Sequence, residues 1–242
     1  MEVIVKPDEK SAGEAAAELV INWCGQAIDE RGRCCLALSG GTTPKPLYEI
    51  IARNFAKAID WNKVFVFFTD ERSVSPEHPE SNFAMIKEKL LDPVGIPGLH
   101  VFRMKGEWKN RNNAAQQYEA NIIRFASKNS HGKPVLDVCL LGVGEDGHTA
   151  SLFPGSKGLL EDIKFITTNF IPEIKTSRLT MTLPLLNLSK KILFFVTGDR
   201  KAKIVKAIQE HPGHYPAGKV RGREETVWVL DVHAASGLTL AM

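Results

Sequence analysis

The sequence predicts an α/β fold: a single doubly wound domain over residues 1–242, with one largely parallel sheet flanked by helices. Short, continuous apolar runs recur at 34–38, 64–68, 138–141 and 191–197, as strands buried on both faces require. Segments of helical periodicity lie between them, the alternation that builds parallel sheets. No repeat, low-complexity tract or linker interrupts that alternation.

Residues 2–5 begin a short strand. Residues 11–29 carry helical periodicity, with Ala15, Leu19, Val20, Trp23 and Ala27 on the packed face. Arg31-Gly32 ends this helix, and the strand at 34–38 runs directly into Ser39-Gly40-Gly41-Thr42-Thr43-Pro44. Two glycines expose backbone N–H groups there, and three hydroxyls add donors. A helix over 44–58 turns its positive end toward the loop, which suits a phosphate. The loop lacks G-x-x-x-x-G-K-[ST], so it is not a nucleoside-triphosphate loop.

The run VFVFF ends in Thr69-Asp70-Glu71-Arg72, so charges again follow a strand. Ser81 caps a helix over 81–91 with Phe83, Ile86, Leu90 and Leu91 on its inner face, and Asn82 faces the same cleft. Residues 100–104 form a strand, and 112–127 a helix with Ala115, Tyr118, Ile122 and Phe125 at helical spacing. Strands follow at 165–167 and 179–182, with Arg178 opening the second. The strand at 191–197 leads through Gly198-Asp199-Arg200-Lys201 into a helix ending near Glu210. A last strand covers 226–230, and Asp231 caps a short helix ending near Gly237.

The densest chemistry lies after the strand at 138–141, in Gly142-Val143-Gly144-Glu145-Asp146-Gly147-His148. This satisfies G-x-G-x-x-G, yet a dinucleotide site is excluded: Glu145 and Asp146 would set two negative charges against the pyrophosphate. A histidine flanked by carboxylates at a strand's carboxyl end is instead a candidate for proton transfer. Parallel strands present their carboxyl ends on one side, so the loops at 39–43, 70–72, 145–148 and 198–201 converge on one site.

A hydrophobic fraction of 43%, a charged fraction of 24% and a net charge of +3 describe an ordinary globular composition. Such a mild charge argues against a nucleic-acid partner. No stretch is long enough to span a membrane, and no basic segment with an apolar core opens the chain, so a cytoplasmic location is expected. Cys24, Cys34, Cys35 and Cys139 lack C-x-x-C spacing and read as reduced core thiols. His211 and His214 flank Pro212-Gly213 without other soft ligands, so no metal is expected there.

With these motifs assembled, the chain resembles the 6-phosphogluconolactonases, relatives of the glucosamine-6-phosphate deaminases with a Rossmann-like fold of the sugar-phosphate isomerase type. The resemblance rests on LALSGGTTPKPLY, FFTDERSVSPEHPESNF, LLGVGEDGHTASLFP, SRLTMTLPLL and VTGDRKAKIV. It implies hydrolysis of a sugar-phosphate lactone without cofactor or metal, by a monomer or small homo-oligomer. Gly41, Thr42, Arg178 and Lys201 would hold the phosphate with Gly40 beside them, while Asp70, Arg72 and His148 surround the lactone.

Lactone hydrolysis needs an activated water, oxyanion stabilisation and a proton for the leaving alkoxide. His148 suits the first task, with Asp146 orienting its ring. Asp70 is a second base candidate, and Arg72 or backbone N–H groups are oxyanion donors. One alternative is the deaminase reaction, but that family carries Glu five residues after its histidine and this chain has Phe153. A non-catalytic sugar-phosphate sensor is another. The chain departs from the family after Tyr215-Pro216-Ala217, where Lys219, Arg221 and Arg223 follow without an assigned role.

Overall fold

Runs such as VFVFF and KILFFV combine β-branched and aromatic residues that favour extended backbone, and their alternate side chains enter two separate cores. The computed structural model describes residues 2–238. In chain order its strands are β1 (Glu2–Lys6), β2 (Cys34–Leu38), β3 (Val64–Phe68), β4 (Asp70–Arg72), β5 (Val101–Phe102), β6 (Ser127–Lys128), β7 (Pro134–Val135), β8 (Val138–Leu141), β9 (Ile166–Ile171), β10 (Thr176–Met181), β11 (Lys191–Val196) and β12 (Glu225–Asp231). The α-helices are α1 (Glu9–Arg31), α2 (Pro44–Asn54), α3 (Asn82–Ile86), α4 (Asp92–Val94), α5 (Arg111–Phe125), α6 (Leu183–Leu186) and α7 (Ala202–Glu210).

Seven strands form one sheet in the order β1-β12-β11-β8-β2-β3-β5, with every pairing parallel. On one face Leu36, Val66, Leu140 and Phe195 pack with residues of α1 and α2. On the other, Ala37, Phe67, Cys139 and Phe194 pack with α5 and α7. This is the expected doubly wound arrangement, and burial on both faces explains why the central strands are apolar throughout. The order reverses at β2: the chain moves outward to β3 and β5, then returns to β8 on the other side. A crevice therefore opens at the carboxyl ends of β2 and β8.

The structure corrects the expected architecture in several places. A second sheet, antiparallel and ordered β4-β10-β9, stands beside the first, so the residues after β3 do not simply form a loop. The helix expected over 44–58 stops at Asn54. The helix expected over 81–91 is α3 followed by a π-helical stretch at Lys87–Leu91. The strand expected at 100–104 shrinks to β5. Asp231 does accept from Ala234 N, at 2.8 Å, but the residues after it form turns rather than a helix. Its carboxylate also accepts from Gly198 N at 3.0 and 3.1 Å, which fixes the loop leading to Lys201. All four cysteines are buried free thiols, and among the described residues no helix is long and apolar enough to cross a membrane.

Candidate active site

The loop after β2 begins with buried Ser39, whose carbonyl accepts from the Tyr48 hydroxyl at 2.6 Å. Gly40 leaves no room for a side chain, because a Cβ there would stand 1.7 Å from Asn82 Oδ1. Thr43 precedes α2 without making a side-chain capping bond, so the positive end of the helix is unfilled at the cleft.

β3 ends at Phe68, and β4 carries Asp70, Glu71 and Arg72. Asp70 is buried, and its carboxylate accepts from Ser151 Oγ at 2.6 Å, Asn82 Nδ2 at 3.2 Å and Thr69 Oγ1 at 3.3 Å. Glu71 turns away from the cavity. It accepts from the backbone N–H groups of Arg72, Asn82 and Phe83 and from Ser81 Oγ, anchoring the start of α3. Burial raises the Glu71 pKa, and those donors pull it back.

The antiparallel register sets Arg178 of β10 directly opposite Arg72 of β4. Like charges directly opposite are unfavourable, so the pairing makes sense where an anion sits between them. Burial depresses the Arg178 pKa, with Asp70 opposing.

After β8 the chain turns tightly, with Gly144 N donating to His148 O at 2.8 Å and Gly147 N to Gly144 O at 2.9 Å. The His148 ring covers Gly144, where a Cβ would lie 2.1 Å from Nδ1. His148 Nδ1 meets Asp146 Oδ1 at 2.6 Å, and the same oxygen accepts from His148 N at 3.1 Å. Burial acts to raise the Asp146 pKa, but the bonds from the His148 ring and backbone outweigh it and hold the carboxyl below its ordinary value. The imidazole stacks on Phe153, with centroids 4.0 Å apart.

These loops enclose a cavity of about 200 Å³. Gly40, Gly41 and Thr42 line it from the β2 loop, and Asp70 and Arg72 from β4. His148, Arg178 and Lys201 line it as well, so every residue the sequence assigned to substrate reaches one cavity. Burial depresses the Lys201 pKa, while Glu145 and Asp146 oppose that shift. Asp146 stands behind His148 rather than on the cavity wall. Sequence reasoning missed Ser151, 81 residues from its partner Asp70, and the anchoring role of Glu71, because both depend on tertiary contacts. Among the described residues, no cluster of three His, Cys, Asp or Glu side chains is arranged to hold a metal ion.

Ser39 Oγ, Arg72 Nε, Asn82 Oδ1 and Arg178 Nε are buried without hydrogen-bond partners, and their residues all line this cavity. Buried polar atoms are ordinarily paired, so this concentration marks a place built to receive a polar ligand. Hydroxyl and cationic donors beside an oriented imidazole suit an anionic substrate with a reactive acyl or carbonyl carbon.

A family model described as glucosamine-6-phosphate isomerases/6-phosphogluconolactonase matches residues 7–228. A 6-phosphogluconolactonase of Synechocystis sp. is 39% identical over 228 residues, covering 93% of each chain. The crystal structure of 6-phosphogluconolactonase from Thermotoga maritima has a TM-score of 0.82 and 28% identity, covering 95% of this chain and 99% of that one. A monomeric glucosamine-6-phosphate deaminase also reaches a TM-score of 0.82, at 21% identity over 98% of this chain and 100% of its own, a likeness of fold alone. A match that spans every strand-end loop of the cavity makes this chain a member of the glucosamine-6-phosphate isomerase/6-phosphogluconolactonase family.

Proposed function

We propose that this chain hydrolyses 6-phospho-D-glucono-1,5-lactone to 6-phospho-D-gluconate, the lactone step of the oxidative pentose phosphate pathway. The observation that carries the chemical reading is the 2.6 Å contact between His148 Nδ1 and Asp146 Oδ1 at the edge of a cationic cavity. An ionised Asp146 accepts, so Nδ1 of the neutral ring carries the proton and Nε2 keeps its lone pair. Nε2 takes a proton from water as the water oxygen bonds to C1. The carbonyl electrons move onto the oxyanion, with Arg72 as the donor in reach. Collapse of this intermediate breaks the bond from C1 to the ring oxygen, and the imidazolium returns its proton to that leaving alkoxide. Residues 40–42, Arg178 and Lys201 hold the phosphate in both ground and transition states.

Asp70 serves better as a fixed counter-charge to the arginines than as the base, because three side-chain donors already occupy its carboxylate. Phe153 speaks against the deaminase reaction: its phenyl ring occupies the face of His148 and relays no proton. The reading describes a cytoplasmic enzyme, monomeric or a small homo-oligomer, acting on a small molecule without cofactor, nucleic acid or membrane.

The test generates the lactone in situ and follows acid release against a no-enzyme control, because the lactone also opens unaided. Ammonia release from glucosamine 6-phosphate is measured in parallel. Enzyme-dependent acid release without ammonia is expected. Ammonia without acid release favours the deaminase, and sugar-phosphate binding without either product favours a sensor.

A further inference from the structure

Tyr215-Pro216-Ala217 lies outside the cavity, and the reaction above uses none of it. The structure lays this segment against the turn that carries His148. Ala217 N donates to Gly147 O at 3.0 Å. The Tyr215 ring covers Gly147 so closely that a Cβ there would stand 2.6 Å from Tyr215 Cδ1. Gly147 itself sits at φ +82°, in the region that only glycine enters freely.

The segment is anchored on its far side. Ala217 and Val220 are buried in the core beneath the sheet, and Val220 N donates to Ala217 O at 3.2 Å. On its near side the turn meets His148, whose ring covers Gly144. The turn thus carries the imidazole over Gly144 and is itself covered by the Tyr215 ring at Gly147. Asp146 and His148 are two residues apart, so the contact between their side chains depends on the curvature of this turn.

We propose that Tyr215 and Ala217 are positioning residues, which hold the turn in the curvature that brings His148 and Asp146 together. They do so through Gly147 and never touch substrate. The inference rests on the lactonase reading and adds a part that no cavity residue supplies. Loosening the segment spreads His148 over unproductive orientations and lowers kcat, whereas the phosphate cradle, built on the loop after β2 with Arg178 and Lys201, keeps its shape.

The experiment compares wild type, Tyr215→Ala and Tyr215→Phe for kcat, KM and affinity for 6-phosphogluconate, with circular dichroism as the folding control. Tyr215→Ala is expected to lose roughly tenfold to a hundredfold in kcat, the scale of a displaced catalytic group, with KM and product affinity within about threefold of wild type. Tyr215→Phe keeps the ring that covers Gly147 and is expected to restore kcat. If Tyr215→Ala does not fold, Tyr215→Leu replaces it, because it keeps apolar bulk without the flat ring, and the same split is expected.

A folded ring-deleted variant with wild-type kcat overturns the proposal. So does a loss of product affinity equal to the loss of kcat, or a Tyr215→Phe variant as impaired as Tyr215→Ala. These outcomes leave the lactonase reading intact when wild type hydrolyses the lactone. A wild-type protein that shows no hydrolysis sinks the reading, and the inference with it.

Discussion

The two ends of the parallel sheet each bury an aspartate, and they surround it differently. At the amino end Asp137 accepts from Cys35 N at 2.8 Å, Arg31 Nη2 at 2.9 Å and Ser127 Oγ at 3.4 Å. Burial pushes its carboxyl above the ordinary value, and the Cys35 N–H and the Arg31 guanidinium pull it back. Arg31 pairs with this carboxylate and Lys190 adds to its field, so its charge is balanced within the protein. At the carboxyl end Asp70 is equally well held, but Arg72, Arg178 and Lys201 face the same cavity, and four buried polar atoms around it lack partners. Burial of a charge therefore does not distinguish a working site from a structural tie. What distinguishes it is the set of interactions left for a ligand to complete.

The contrast is sharpest where function and stability separate. His148→Ala should lower kcat by roughly 10²–10⁴-fold, the range for a positioned acid or base, with little change in melting temperature. Asp70→Asn is the comparison: if it lowers kcat more than His148→Ala does, the base is misassigned. At the other end, Asp137→Ala should cost about 2 kcal/mol in urea unfolding, because it leaves the buried Cys35 N–H without its acceptor, while kcat/KM of the folded enzyme stays at the wild-type value. An activity loss there would break the division between the two ends.

Smaller effects probe the site's supports. Ser151→Ala removes the shortest of the bonds to Asp70 and should cost about 2 kcal/mol of stability, the usual worth of a hydrogen bond to a charged group. A neutral result by chemical denaturation would show that Asp70 does not depend on that bond. The smallest effect is in pH. The Asp146 carboxyl is held below 3.8, so its contribution to stability is present above that value and is lost as pH falls through the folded-state pKa. The stability difference between wild type and Asp146→Asn should shrink as pH falls through 3.8 toward the folded-state pKa. A difference that grows as pH falls over that range would contradict this sign.

Much of this was legible in the sequence, and the reason is physical. Strands buried on both faces are apolar throughout, so β2, β3, β8 and β11 announce themselves, and the parallel rule brings the loops after them to one edge. The second sheet was not legible, because β4 is three charged residues whose strand character comes only from pairing with β10. Glu71 illustrates the same limit: it looks like a solvated charge in DER, yet it is 3% exposed and holds the start of α3. The turns after Asp231 read as a helix because its capping bond to Ala234 is real, while its second role, fixing Gly198, leaves no trace in local pattern.

On the proposed reading, catalysis and anion recognition sit on separate loops at the carboxyl end of the sheet. Calorimetric titration of 6-phosphogluconate into wild type, His148→Ala and Lys201→Ala tests it most directly. The account predicts that His148→Ala binds within about threefold of wild type, whereas Lys201→Ala binds about tenfold more weakly or worse, having lost a charge-assisted contact to the phosphate. The reverse pattern, with binding lost in His148→Ala and kept in Lys201→Ala, would contradict it.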